Sequence, residues 1–245
     1  MIYAYRSEKG LRKKNEDSFY VPDEGKRPAV IVADGMGGHI AGEVASRMAI
    51  ESIVKVIDSA APGQSTVALL RRAISEANTA VFDLSMTDND YSGMGTTVVM
   101  ALLEPDKYTV ASIGDSRLYH FDGSRLRRVT RDHSYVQELV TAGMITEEQA
   151  RVHPQRNLVT RAVGTSRFEK ADAGVRSWRR GDMLLLCSDG LCGAVDDKDI
   201  EETLKSEPDL LCCCDLLAEL ALKQGSTDNI TIVLVKNEEA EYYEG

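Results

Sequence analysis

Long apolar runs are missing from this 245-residue chain. Stretches such as Met183–Cys187 fall far short of the roughly 20 residues a bilayer-spanning helix needs. A basic excess is missing too: 29 Lys and Arg against 39 Asp and Glu leave a net charge of −10. That balance argues against broad nucleic-acid binding and against an anionic membrane surface as the main partner. The start of the chain, Met1-Ile-Tyr-Ala-Tyr-Arg6, lacks the basic-then-apolar pattern of a signal peptide. Cysteine is sparse and awkwardly placed. There are five, three of them consecutive at Cys212–Cys214, and none forms a Cys-x-x-Cys pair. Cys187 and Cys192 flank Ser188-Asp189-Gly190, where redox or zinc chemistry competes with the plainer reading of small hydrophobes in a reducing compartment. A cytoplasmic protein is expected.

No Pro- or Ser-rich linker, low-complexity tract or internal repeat divides the chain. One domain of this length buries about 70–75% of its unfolded surface, so neither a disulfide nor a structural metal is needed for stability. The hydrophobic share of 43% against 28% charged residues is that of an ordinary soluble globular protein.

Residues 28–34 form a continuous apolar run ending at Asp34-Gly35, the pattern of a buried strand. Helical spacing follows over Ala41–Ile57 and Thr66–Leu84. Strands are expected at Ser18–Val21, Thr96–Leu103, Tyr108–Ile113, Arg117–Phe121, Arg125–Thr130, Asp182–Cys187 and Asn229–Val235, separated by Asp-, Gly- and Pro-containing turns. Two further helices are expected at Asp197–Lys205 and Leu210–Lys223. The stretch from about 132 to 165 is polar, holds two short helical pieces (Tyr135–Thr141 and Thr146–Ala150), and reads as an appended flap; 238–245 reads as a frayed acidic tail. Clustered strands followed by paired helices indicate an α+β domain over 1–237.

The aspartates fall at strand ends: Asp17, Asp34, Asp115, Asp189 and Asp228, with Glu16 beside the first. Turn chemistry and helix capping explain any one of them. Several together, on strand ends that converge in space, are costly unless a cation neutralises them. Convergent oxygens without His or Cys partners suit a hard ion such as Mg²⁺ or Mn²⁺, and the carbonyl of Gly35 can approach such an ion closely. Two ions about 3.5–4 Å apart activate a shared water, and phosphate esters are the natural target. Arg12, just ahead of Glu16-Asp17, is either a solvated basic turn or a guanidinium able to grip two phosphate oxygens. Of the four histidines, His120, His133 and His153 read as structural. Arg125, Arg127, Arg128 and Arg131 read either as a solvated strand face or as a site recruiting an acidic partner.

Six motifs in order resemble the PPM family of metal-dependent serine/threonine protein phosphatases (type 2C), in its compact bacterial form. They are Arg12-x-x-Asn15-Glu16-Asp17; Ala33-Asp34-Gly35-Met36-Gly37-Gly38-His39; Gly93-Met-Gly95-Thr96-Thr97; Gly114-Asp115-Ser116-Arg117; Ser188-Asp189-Gly190-Leu191; and Ser226-Thr-Asp228-Asn229. The resemblance implies a central β-sandwich of two mainly antiparallel sheets flanked by helix pairs, a four-layer arrangement with a small flap subdomain. By position, Asp34 would bridge two Mn²⁺ or Mg²⁺ ions, Asp189 and Asp228 would hold the first, and the Gly35 carbonyl, Glu16 and Asp17 would serve the second. Asp115 with Asp189 would hold a weaker third ion, Arg12 would bind phosphate, and Asn229 would orient Asp228.

The implied reaction is direct hydrolysis of phosphoserine and phosphothreonine on proteins by a metal-bridging hydroxide, opposing a Hanks-type Ser/Thr kinase. The catalytic set would be Arg12, Asp34, His39 and Asp189. Where animal-type members carry a histidine after the Asp-Gly, this chain has Met36, so proton donation falls either to His39 or to a metal-bound water. Two readings compete: a partner-switch phosphatase dedicated to one small regulatory protein, and a pseudophosphatase that only binds a partner. A monomer is expected, since no exposed apolar stripe stands out.

Overall fold

The computed structural model describes residues 1–37 and 41–238. In chain order the strands are β1 (Ile2–Glu8), β2 (Asp17–Tyr20), β3 (Ala29–Met36), β4 (Gly95–Thr96), β5 (Val98–Leu103), β6 (Lys107–Ile113), β7 (Arg117–Phe121), β8 (Leu126–Arg128), β9 (Asp172–Ser177), β10 (Met183–Cys187) and β11 (Ile230–Lys236). The helices are α1 (Ala41–Asp58), α2 (Thr66–Thr87), α3 (Tyr135–Thr141), α4 (Glu147–Arg151), the one-turn α5 (Asp189–Cys192), α6 (Asp197–Ser206) and α7 (Leu210–Lys223).

The strands form two antiparallel sheets. One runs β1-β11-β10-β7-β8; the other runs β2-β3-β5-β6-β9, with β4 on the end of β3. Central strands face apolar material on both sides, which is why β5, β10 and β3 up to Asp34 are unbroken apolar runs. In β3, Ala29, Ile31 and Ala33 pack towards α1 and α2, while Val30 and Val32 meet Leu184, Leu186, Val233 and Val235 of the opposite sheet. A third apolar layer lies between the first sheet and α5–α7, built on Leu185, Ile232, Leu217 and Ala221. The result is the expected α+β sandwich, helices–sheet–sheet–helices.

Several local expectations are corrected. The strand carrying Asp34 does not stop there: β3 continues through Gly35 to Met36 because β4 extends its ladder, pairing Gly35 with Thr96 and Met36 with Gly95. The strand expected over Thr96–Leu103 breaks at Thr97. Two strands carry no sequence signal noted above, β1 and β9. Both are sheet edges with largely exposed side chains, so neither shows a continuous apolar run. Trp178, just after β9, is buried and donates from its indole N–H to the Glu104 carbonyl at 2.8 Å. The segment 132–165 contains α3 and α4; an isolated bridge between Thr96 and Val163 joins it to the sandwich, and a second, Ser134 with Val159, closes the segment on itself. No described helix is long and apolar enough to cross a membrane.

Candidate active site

Strand geometry gathers the carboxylates at one end of the sandwich. Asp17 opens β2 and lies directly across from Asp34 in the antiparallel register. Asp115 sits in the turn between β6 and β7, Asp189 starts α5 after β10, and Asp228 precedes β11. A cleft of about 400 Å³ opens between them, walled by Arg12, Glu16, Asp34, Asp115, Asp189 and Asp228, with Gly35 also on its wall. The flap closes one side through Asn157, Leu158 and Val159. Asp17 is buried and does not line this cleft; it stands behind it.

Glycine is required where the backbones meet. A Cβ on Gly35 would come within 2.1 Å of the Gly42 carbonyl oxygen and 2.6 Å of that of Glu16. A Cβ on Gly190 would stand 1.9 Å from the Asn229 carbonyl oxygen, so the segments carrying Asp189 and Asp228 approach as closely as they do only because residue 190 has no side chain.

Asp34 is fixed through its main chain. Its N–H donates to Thr97 Oγ1 at 3.0 Å, and its carbonyl accepts from Thr97 N and from Thr96 Oγ1, each at 2.9 Å. Thr97 Oγ1 also pairs with Ser116 Oγ at 2.6 Å, joining the Asp34 strand to the turn that holds Asp115. Asn229 ties three segments together. Its N–H donates to Asp228 Oδ1 at 2.8 Å, its Oδ1 accepts from Glu16 N at 2.9 Å, and its Nδ2 donates to the carbonyls of Lys9 and Lys14. It therefore steadies the Arg12 loop and Glu16 as well as Asp228. Ser46 Oγ on α1 donates to the Glu16 carbonyl at 2.6 Å. Thr96, Thr97, Ser46 and Ser188 are support residues that sequence reading passed over. Thr96, Thr97 and Ser188 stood inside the quoted motifs, which was the available signal.

The site is electrostatically strained. Burial, then repulsion from Asp17 and Asp189, holds the Asp34 carboxyl well above the usual range. Burial and repulsion from Asp189 push Asp115 up to about 8. Burial pushes Asp17 up to about 7 despite the hydrogen bond from Ser188. Asp189 is pushed up to about 6 by burial and by Asp228, with a hydrogen bond to Asp34 opposing the shift. Glu16 is also raised by burial, against the pull of Arg12.

Two buried oxygens in this group, Asp17 Oδ1 and Asp189 Oδ1, have no hydrogen-bond partner. Arg12 Nη2 lies 2.7 Å from Asp228 Oδ2, the one guanidinium–carboxylate pair inside the cleft among the described residues. No group of three or more His, Cys, Asp or Glu side chains among the described residues is arranged as a ready-made metal site. Arg12 instead pairs with one of the carboxylates, Asp228. Orphaned oxygens, mutually repelling acids and an oxygen-only donor set are nonetheless what a hard divalent cation relieves, so these residues fit such ions.

The other singled-out residues lie elsewhere. His39 is outside the described residues. His120 pairs with Asp182 at 2.9 Å, and His153 accepts from Gln155 N. His133 accepts from Gly114 N at 3.1 Å and faces Asp172 at 3.2 Å; burial lowers its pKa. Arg161 is flanked by Glu169 and Asp172 and does not line the cleft. Arg128 is not a solvated strand residue, because it is held by Asp132 at 2.6 Å.

Comparison with known proteins agrees with this arrangement. The family profile described as Protein phosphatase 2C matches residues 7–228. The chain is 38% identical over 243 residues to the serine/threonine phosphatase stp of Listeria monocytogenes, covering 97% of this chain and 96% of that protein. It is 41% identical over 233 residues to the serine/threonine protein phosphatase PstP of Mycobacterium tuberculosis, covering 95% of this chain and 44% of that longer protein. Among solved structures, the catalytic domain of PstP in complex with two manganese ions superposes with a TM-score of 0.85 at 39% identity, covering 96% of this chain and 97% of that one. With the acidic cleft, the two-sheet sandwich and matches of this extent, the chain belongs to the protein phosphatase 2C family.

Proposed function

We propose that this protein hydrolyses phosphoserine and phosphothreonine esters on proteins, in the cleft bounded by Arg12, Asp34, Asp115, Asp189 and Asp228. The observation that carries the reading is the convergence of these carboxylates with one guanidinium in a cleft of about 400 Å³. Asp34, Asp189 and Asp228 would hold two Mn²⁺ or Mg²⁺ ions with the Gly35 carbonyl, Glu16 and Asp17; Asp115 with Asp189 would hold a weaker third. Those ions, when bound, supply an activated water and neutralise phosphoryl oxygens. The PstP complex with two manganese ions supports the choice of metal.

Arg12 is placed to bind the substrate. Its guanidinium offers two parallel donors to two phosphoryl oxygens, and it already occupies the cleft against an anionic oxygen of Asp228. Thr97 carries the only hydroxyl, and no cysteine or histidine appears, among the described residues lining the cleft. That hydroxyl is committed to Asp34 N and Ser116, so among the described lining residues no hydroxyl, thiol or imidazole is free to form a phospho-enzyme; with the carboxylates assigned to metal, this supports direct hydrolysis. In this reading the substrates are made by a Hanks-type Ser/Thr kinase, and the protein acts as a cytoplasmic monomer. Five unpaired cysteines suit a reducing compartment.

The test is hydrolysis of p-nitrophenyl phosphate and of a phosphothreonine peptide with Mn²⁺, with Mg²⁺ and with EDTA. Turnover of both, lost in EDTA, is expected. A folded protein inactive with either metal would overturn the reading.

A further inference from the structure

Behind the cleft, the side chains of five residues, with the backbone N–H groups of Thr231 and Asp17, close a hydrogen-bonded ring. Ser188 Oγ donates to Asp17 Oδ2 at 2.8 Å and accepts from Thr231 N at 3.0 Å. Thr231 Oγ1 pairs with Ser7 Oγ at 2.9 Å, Ser7 Oγ accepts from Asn15 Nδ2 at 2.9 Å, and Asn15 Oδ1 accepts from Asp17 N at 3.1 Å. Ser188 and Thr231 are fully buried. The ring joins β1, β11 and the residue that follows β10 in one sheet to β2 of the other, so it staples the two sheets together at the end where the carboxylates gather.

We propose that Ser188 is the positioning residue for Asp17, fixing which carboxylate oxygen is left free and holding it in register with Asp189. Three features assign this role. Ser188 is covalently adjacent to Asp189, so one residue controls the placement of two acids. Its hydroxyl has a fixed polarity: the Thr231 N–H can only donate to it, and its own proton is therefore directed at Asp17 Oδ2. With Oδ2 engaged, Asp17 Oδ1 remains buried and unpartnered, the single acceptor that carboxylate can offer. A second link, Ser188 N donating to the Thr231 carbonyl at 3.0 Å, fixes the Ser188 backbone against Thr231. Groups that orient ligands in this manner typically change metal affinity 10- to 100-fold when removed.

The proposal rests on the reading of Asp17 and Asp189 as metal-holding carboxylates. The experiment is Mn²⁺ titration by calorimetry on the full chain, with thermal unfolding of each variant in EDTA. Ser188→Ala is expected to weaken Mn²⁺ binding about 10-fold or more. In an Asp17→Asn background the same change should have no further effect, because the two act through one carboxylate. Ser7→Ala, on the far side of the ring, should lower the unfolding temperature but leave Mn²⁺ affinity within about twofold, and Ser188→Thr, which keeps the hydroxyl, should restore binding. Should Ser188→Ala not fold, Ser188→Cys carries the same test. Unchanged Mn²⁺ affinity in the folded Ser188 variant, or effects that add to those of Asp17→Asn, would overturn the role of Ser188 while leaving the function intact. A parent protein that binds no Mn²⁺ and hydrolyses no aryl phosphate would overturn the function itself.

Discussion

Arg12 Nη2 stands 2.7 Å from Asp228 Oδ2 although the two residues are 216 positions apart, so the intended phosphate ligand is held in the cleft by a carboxylate assigned to metal. The pair is partly exposed, with 56% and 30% of the two side chains accessible, so the guanidinium can leave Asp228 at modest cost once another charge neutralises that carboxylate. In the proposed site, metal and phosphate binding would therefore be coupled through one side chain. Arg12→Ala should raise KM for p-nitrophenyl phosphate roughly 10- to 100-fold, the loss expected for a charge-assisted contact of about 1.5–3 kcal/mol. Arg12→Lys should recover only part of this, because an ammonium cannot bridge two oxygens. Steady-state kinetics at saturating Mn²⁺ checks both, and an unchanged KM for Arg12→Ala would remove it from phosphate binding.

Asp189 is repelled by its neighbours, and one of its oxygens is without a partner. Asp189→Asn should abolish turnover. In EDTA the same variant should unfold several degrees higher than the parent, since it removes a charge that is unfavourable in the absence of a cation. Calorimetric scans with EDTA and with Mn²⁺ separate the two effects, and retained activity would sink the assignment of Asp189.

The pH dependence of metal-free stability should be inverted relative to ordinary acid denaturation. Asp17, Asp34, Asp115 and Asp189 all have raised pKa values in the folded chain. Between their unfolded values near 4 and their folded values the native state holds protons that the unfolded chain has released, so stability falls as pH rises through that window to about 8. His133 acts oppositely: its lowered pKa means that stability is lost as pH falls below about 6.5. With four carboxylates against one histidine, melting in EDTA should occur at higher temperature at pH 6 than at pH 8. Saturating Mn²⁺ should reverse that order by replacing the protons, and a melting temperature in EDTA that rises with pH across this range would contradict the carboxylate shifts.

Gly190→Ala should destabilise the fold by several kcal/mol, because the added Cβ meets the Asn229 carbonyl at 1.9 Å and a backbone atom cannot move aside cheaply. Gly174→Ala in the edge strand β9 meets only the flexible end of Arg176 at 3.3 Å and should be neutral or slightly stabilising. Denaturant titration of both distinguishes a close-approach glycine from an incidental one.

Much of this protein was legible without coordinates. Unbroken apolar runs marked β3 and β10 because central strands of a sandwich are covered on both faces, and helical spacing marked α1 and α2 to within a few residues at their ends. Carboxylates at strand ends announced a charged site because isolated turns do not need so many. Two of the four edge strands, β1 and β9, were invisible for the converse reason. β1 becomes a strand by pairing with β11, Ile2 opposite Lys236, and β9 by pairing with β6, Lys107 opposite Ser177. The sequence by itself therefore determined which residues are apolar enough to form the sandwich and which acids it must bring to an end of it. Only the tertiary structure decided that Asp17 stands behind the cleft instead of in it, that Arg12 rests on Asp228, and that Ser7, Asn15, Ser188 and Thr231 close a ring around one carboxylate. Those are relations between residues up to 224 positions apart, set by strand register and hydrogen-bond geometry, and local patterning carries no trace of them.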